Sequence, residues 1–197
     1  MPRKSRAEMM VETRSKLIFA GRKAFAQKGF AAASMDELTA EAGLTRGALY
    51  HNFGDKKGLL AAVVEVMDNE MAARADAMVQ AANPANSWEA FVAQGMAYIE
   101  LALDPEIQRV VLKDGPAYLG DPSHWPSQNG CLMRSAQTLA TMMDDGVVKR
   151  MDPEAAARLV NGAALNAALW VAESSEPHTT LPKAQTALRH LISGLLA

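Results

Sequence analysis

The 197-residue chain has one cysteine, four histidines and no apolar run near the roughly 18 residues that a membrane-crossing helix requires. A lone Cys131 excludes an internal disulfide and suits a reducing compartment, so a cytoplasmic location and no membrane partner are expected. His51, His124, His178 and His190 are scattered without ligand spacing, which gives no metal site and no cofactor to expect. The opening MPRKSRAEMMVE lacks the apolar centre of a secretory leader. Catalysis finds equally little support. No nucleophile sits beside a base and no cofactor loop occurs; His124 with Cys131 is isolated, and Asp144-Asp145 reads as a solvated helix end. No enzyme is expected.

What the chain does have is apolar material, at 49% of its residues enough for a core, and an uneven distribution of charge. Residues 1 to 57 hold 11 Lys/Arg against 6 Asp/Glu, net +5, while the remaining 140 hold 9 against 16, net −7. A basic head on an acidic body suits a nucleic-acid-binding module joined to a domain with another task. Arg3, Lys4 and Arg6 precede the first helix, as a solubilising tail or an arm touching DNA.

The most informative stretch is SMDELTAEAGLTRGALYHNFGDKKGLL, residues 34 to 60. Ser34 with Glu37 has the spacing of a capping box, and Met35, Leu38 and Ala42 recur on one helical face until Gly43. Thr45 can cap a second helix, in which Ala48, Leu49, Asn52 and Phe53 share one arc and Arg46, Gly47, Tyr50 and His51 the opposite one. Two short helices, a glycine turn and an apolar inner arc predict a helix-turn-helix whose second helix enters the DNA major groove. Thr45, Arg46 and Gly47 are then placed to read bases, and Ser34, Tyr50, His51 and Lys56 to hold phosphate. Asp55 caps the following helix, with Lys56 and Lys57 beside its free amides.

Over roughly residues 10 to 60 the sequence resembles the tetracycline-repressor (TetR/AcrR) family of transcription regulators. The matching positions are Phe25, Gly29, Phe30, Ser34, Leu38, Ala42-Gly43, Leu44-Thr45-Arg46-Gly47, Leu49-Tyr50-His51, Phe53, Lys56 and Leu59-Leu60. Thr39 and Gly21 stand where the family more often has Ala. The resemblance implies repression of transcription relieved by a small molecule bound in a helical body, with activation as the alternative within the family. A helical scaffold is a third reading, disfavoured by the Arg46-Gly47-Tyr50-His51 arc.

The expected fold is all-α, about nine helices: a helix-turn-helix head over residues 1–54 and a ligand-binding and dimerisation body over 55–197. Helices are predicted over about 9–28, ended by Gly29, over 55–82, over 87–103, which Ser87 can cap, from Asp104, over 133–148, from Asp152 to about 173, and from Pro182. Residues 114–130, with three prolines and three glycines, read as mostly loop. The eighth helix is apolar or small on nearly every side. It is therefore expected, together with the ninth, to pack against its symmetry mates as a four-helix homodimer interface through Leu165, Leu169, Leu188, Leu191, Ile192 and Leu195. The effector site is expected to be mostly apolar and to bind a hydrophobic or aromatic molecule. Trp88, Phe91, Met96 and Tyr98 would line it from the fifth helix, Tyr118 and Trp125 from the loop, Met133 and Met142 from the seventh, and Asn166 and Trp170 from the eighth. Asn161 and His124 would add polar groups. The expected partners are thus a double-stranded DNA operator, this effector and a second copy of the chain.

Overall fold

The computed structural model describes residues 5–197; Arg3 and Lys4 lie outside the described residues. Nine helices carry the described residues, with no named strand and one isolated bridge between Val148 and Leu196. They are α1 (Arg6–Ala32), α2 (Met35–Glu41), α3 (Arg46–Phe53), α4 (Lys56–Ala82), α5 (Ser87–Glu100), α6 (105–119), α7 (Pro126–Asp144), α8 (Pro153–Glu173) and α9 (Pro177–Ser193). The all-α expectation holds, as does the order of head before body.

The head folds as its caps dictate. Thr45 accepts the Ala48 amide at 3.2 Å, and Asp55 accepts that of Gly58 at 2.7 Å, so α3 and α4 start where their side-chain caps stand. Ser34 accepts the Glu37 amide at 3.1 Å, but the Glu37 carboxylate takes Lys28 Nζ at 3.0 Å, so the expected reciprocal box at α2 is replaced by an ion pair. The full box is at Ser5 and Glu8, which starts α1 at Arg6 rather than near residue 9. Leu17, Phe25, Leu38 and Leu49 are wholly buried and join the head to Leu59, Leu60 and Val63 of α4. Gly21 permits this approach, since a Cβ there would stand 3.0 Å from Leu59. The buried Thr39 hydroxyl donates to its own helix at Met35 O, 3.0 Å away, which accommodates a polar group at an otherwise apolar position.

Gly29 ends the regular run of α1. It adopts φ +77° and ψ 164°, and the chain then regains a last helical turn to Ala32. The backbone groups this break releases are taken by side chains. Asp114 accepts the Phe30 amide at 2.7 Å, and Arg109 donates to Lys28 O at 3.3 Å. Arg22 adds a fork to Glu106, at 2.8 and 2.7 Å, and a bond to Glu70 at 2.7 Å.

In the body three expectations are corrected. The cap of α5 is Asn86, not Ser87, because it is the Asn86 carboxamide that accepts the Glu89 amide at 2.9 Å. Residues 114–130 are largely helical: α6 runs through a π-helical stretch at Gln108–Asp114 into Gly115–Leu119, a 3₁₀ turn follows at Pro122–His124, and α7 starts at Pro126. Pro122 and Pro126 occupy first-turn positions, where a missing N–H costs nothing, so they start helical turns instead of preventing them, and Pro116 sits where the π-helical stretch gives way to the last α-helical turn of α6. α9 likewise begins at Pro177 and carries Pro182 inside it. α8 spans the expected residues, capped by Asp152.

Two apolar clusters result, a large one running from the head along α4 into α8 and α9, and a smaller one around Leu139, Met142 and Ala157. No helix among the described residues is long and apolar enough to cross a membrane. Because Gly29 holds a backbone conformation that a residue with a Cβ adopts only under strain, Gly29→Ala should destabilise the protein by about 1–3 kcal/mol. Urea unfolding checks this, and an unchanged midpoint would show that the break is not required.

Candidate nucleic-acid interface and buried cavity

α3 presents the two arcs read from its sequence. Leu49 is fully buried and Ala48, Asn52 and Phe53 are half-buried, whereas Thr45, Arg46, Gly47, Tyr50 and His51 are exposed, Tyr50 by 55%. α1 braces the inner arc: the Arg14 guanidinium lies 4.6 Å from the Phe53 ring centre and donates to Asn52 O at 3.4 Å. The Ser34 and Thr45 hydroxyl oxygens are occupied as cap acceptors, so each can still donate its proton outward.

Arg46 is not idle. Its Nε and Nη2 fork onto the Asp36 carboxylate of α2, which holds that carboxyl below its ordinary range and raises the guanidinium. Both partners are exposed, so the pair sits in water and is easily exchanged for another anion.

Lys56 departs from its expected role. Its ammonium donates to Phe30 O at 2.8 Å and Ala33 O at 2.9 Å, and it lies 4.5 Å from the Phe30 ring centre. It therefore caps the last carbonyls of α1 rather than facing a phosphate. Lys57, one residue on, is exposed at the same helix start.

A cavity of about 400 Å³ opens between four helices of the body. α4 supplies Asp68, Ala72, Ala75, Asp76 and Val79; α5 supplies Phe91, Gln94 and Tyr98; α7 supplies Gln128, Cys131, Arg134 and Ser135; α8 supplies Val160, Asn161, Ala164 and Leu165. Of the ten expected effector contacts, Phe91 and Tyr98 line this cavity. Trp125 lines an adjoining crevice that shares Asp68, Tyr98, Gln128 and Leu165 with it.

The other seven are elsewhere. Trp88 and Met96 pack against the core, and Met142 is buried in the smaller cluster. Tyr118 stacks on Phe30 at 4.3 Å, between head and body. Met133 and Trp170 are 73% and 50% exposed, and Asn166 is exposed beside the latter on α8. His124 is exposed too, whereas Asn161 is in the wall, accepting from Ser135 at 3.0 Å.

The wall is mostly apolar, as expected, with several polar groups set into it. Asp68 is only 4% exposed, and Gln128 donates to it at 2.8 Å; Asp76 accepts from Gln94 at 3.0 Å. Burial pushes the Tyr98 phenol well above its ordinary range, with Asp68 adding to the effect, so it stays neutral. The Cys131 thiol is raised by burial and stays protonated. Asp68 could have been found in the sequence: Leu60, Val64, Asp68 and Ala72 recur every four residues, and a carboxylate within an apolar stripe of that kind is informative.

Comparison with known proteins places both regions. Residues 17–63 match a family model described as bacterial regulatory proteins, tetR family, and residues 88–195 match one described as tetracyclin repressor-like, C-terminal domain. The chain is 42% identical over 55 residues to the transposon Tn10 TetC protein of Escherichia coli, covering 28% of each. It is 30% identical over 112 residues to the HTH-type transcriptional regulator TtgR of Pseudomonas putida, covering 56% of this chain and 52% of that one. The matches thus span about half or less of these curated relatives. A crystal structure of a TetR-family transcriptional regulator from Pectobacterium atrosepticum is similar throughout, at 46% identity over 98% of both chains and a TM-score of 0.86. The resorcinol complex of RolR, 18% identical over 94% of this chain and 90% of its own, shares the fold at a TM-score of 0.72.

Replacing Lys56 with Met would retain the apolar stem over Phe30 but strand the carbonyls of Phe30 and Ala33. A loss of about 1–3 kcal/mol in urea unfolding is expected, with the salt dependence of DNA binding unchanged. A flattened salt slope with unaltered stability would instead return Lys56 to phosphate.

Proposed function

The chain belongs to the TetR family of bacterial regulatory proteins, and from that premise we propose that it is a ligand-responsive DNA-binding repressor acting as a homodimer. The observation that carries this reading is α4. One helix starts against the head, with Leu59 and Leu60 in its core, and then supplies Asp68, Ala72, Ala75 and Asp76 to the cavity wall. A ligand that prefers one placement of α4 thereby prefers one placement of the heads, and coupling needs no more than that differential affinity.

On DNA, Arg46 leaves Asp36 for a base edge, Thr45 and Gly47 let the backbone approach, and Ser34, Tyr50, His51 and Lys57 hold phosphate. Gel shifts on the DNA upstream of the protein's own reading frame test the function directly. Arg46→Ala should weaken binding there roughly ten- to a hundredfold while leaving random DNA much less affected. Asp36→Asn, which frees the guanidinium, should strengthen binding to both. Equal losses on both DNAs for Arg46→Ala would remove the base-reading role.

Pairing is assigned to the outer faces of α8 and α9, in a revised form. Leu188 and Ile192, expected at the interface, are 4% and 3% exposed and belong to the chain's own core. Leu165 faces the cavity, while Leu169 and Leu195 pack against the core. The apolar area left outside is on Leu159, Trp170 and Leu191, exposed by 76%, 50% and 68%. A two-fold dimer through these faces would hold two α3 helices for half-sites about one DNA turn apart. Leu159→Asp with Leu191→Asp should give a folded monomer with poor operator affinity. Sedimentation of the unmodified protein as a monomer at micromolar concentration would refute the pairing.

A further inference from the structure

We propose that the cavity selects an amphiphilic organic cation, whose protonated amine seats against Asp68 while its apolar body lies along Ala72, Ala75, Val79 and Phe91. This rests on reading the cavity as the effector site, and it names the charge of the ligand that site takes. A carboxylate out of water is costly unless a cation or a full set of donors meets it. Asp68 is 96% buried, given its 4% exposure, and its one protein partner is the neutral amide of Gln128 at 2.8 Å. Among the described residues no lysine, arginine or histidine lies within ion-pair distance of it, although salt bridges occur throughout the surface.

The surroundings favour the same charge. Asp76 contributes a second carboxylate on the same helix, held only by the neutral Gln94 amide at 3.0 Å. Arg134, the cation of the lining, is exposed and turned to Cys131 Sγ at 3.4 Å. Tyr98 stays neutral and adds no compensating charge. An anionic ligand would therefore meet the buried Asp68 carboxylate, with the exposed Asp76 beyond it, and a neutral one would leave Asp68 as it is. At about 400 Å³ the cavity holds a drug-sized molecule.

The test compares three compounds of one carbon skeleton by calorimetry on the full chain at pH 7: 4-phenylbutylamine, 4-phenylbutanol and 4-phenylbutanoate. The amine should bind about tenfold or more tightly than the alcohol, with the carboxylate weakest. Asp68→Asn should bring the amine to the level of the alcohol, and Asp76→Asn should lower the amine a few-fold. Equal or tighter binding of the alcohol or carboxylate, no binding of the amine, or an amine preference unchanged in both variants would overturn the proposal. Should Asp68→Asn fail to fold by circular dichroism, the ranking of the three compounds on the unmodified protein decides, since an amine that binds no more tightly than the alcohol refutes the carboxylate site. Gel shifts in parallel separate the two readings. Lost amine preference with intact DNA binding removes the cation and leaves the regulator, whereas amine binding without DNA binding removes the regulator and leaves the cation.

Discussion

The positive φ of Gly29 is the constraint on which the relation between head and body depends. By breaking α1 one turn before its end, it releases backbone groups that no intrahelical partner can satisfy, and buried groups of that kind must be met elsewhere. The chain meets them with Asp114 and Arg109 from the body and Lys56 from the start of α4. A Cβ on Gly29 would fall 1.9 Å from the Arg109 guanidinium, so that side chain would have to swing away from Lys28 O, and the positive φ would still favour glycine. The head is thereby attached by directional bonds to two elements at once. Apolar packing alone would hold it less specifically, since hydrophobic contact has no preferred direction.

Those directional bonds converge on the irregular helix α6. Arg109 and Asp114 both lie in its π-helical stretch, and Glu106, which receives Arg22, lies one turn before it. The same stretch supplies Val111 and Leu112 to the crevice beside Asp68 and Trp125. A π-wound segment shifts the register of the side chains that follow it, and such segments are often found at functional sites. Here it turns one set of residues toward the head and another toward the crevice that adjoins the cavity. On the proposed reading the ligand thus has two routes to the head, along α4 through Asp68 and across α6, and both are continuous packed structure.

Much of the head was legible because its information is local. Caps, a glycine turn and a two-arc helix are written within 27 residues, and the structure places Leu49 inside and Arg46, Tyr50 and His51 outside as the rotation requires. The carbonyl partners of Lys56 were not legible for the opposite reason: Phe30 and Ala33 lie more than twenty residues away, and only tertiary structure brings the end of α1 to its ammonium. The body failed at similar distances. Methionines and aromatics were read as a pocket, yet Met142 fills a core and Trp170 an outer face, because apolar residues in a helical bundle have three destinations that periodicity does not distinguish. The polar groups discriminate better, since Asp68, Gln128 and Asn161 have a reason to be inward only if something there needs them.

The exposed pair of Arg46 and Asp36 follows from the same physics in reverse. A bidentate fork between two side chains at the surface gains little over the water each displaces, and salt weakens it further. It still has an effect on the unbound head, because it holds a long, mobile side chain in one place and pairs its charge. Exchange of Asp36 for a guanine edge would keep the fork and change only the acceptor, so the donor geometry would survive. The carboxylate left behind on α2 would then stand near the phosphates as a like charge, which disfavours any DNA that offers Arg46 no base acceptor in return. A weak ion pair at the reading surface can therefore contribute more to discrimination than to stability.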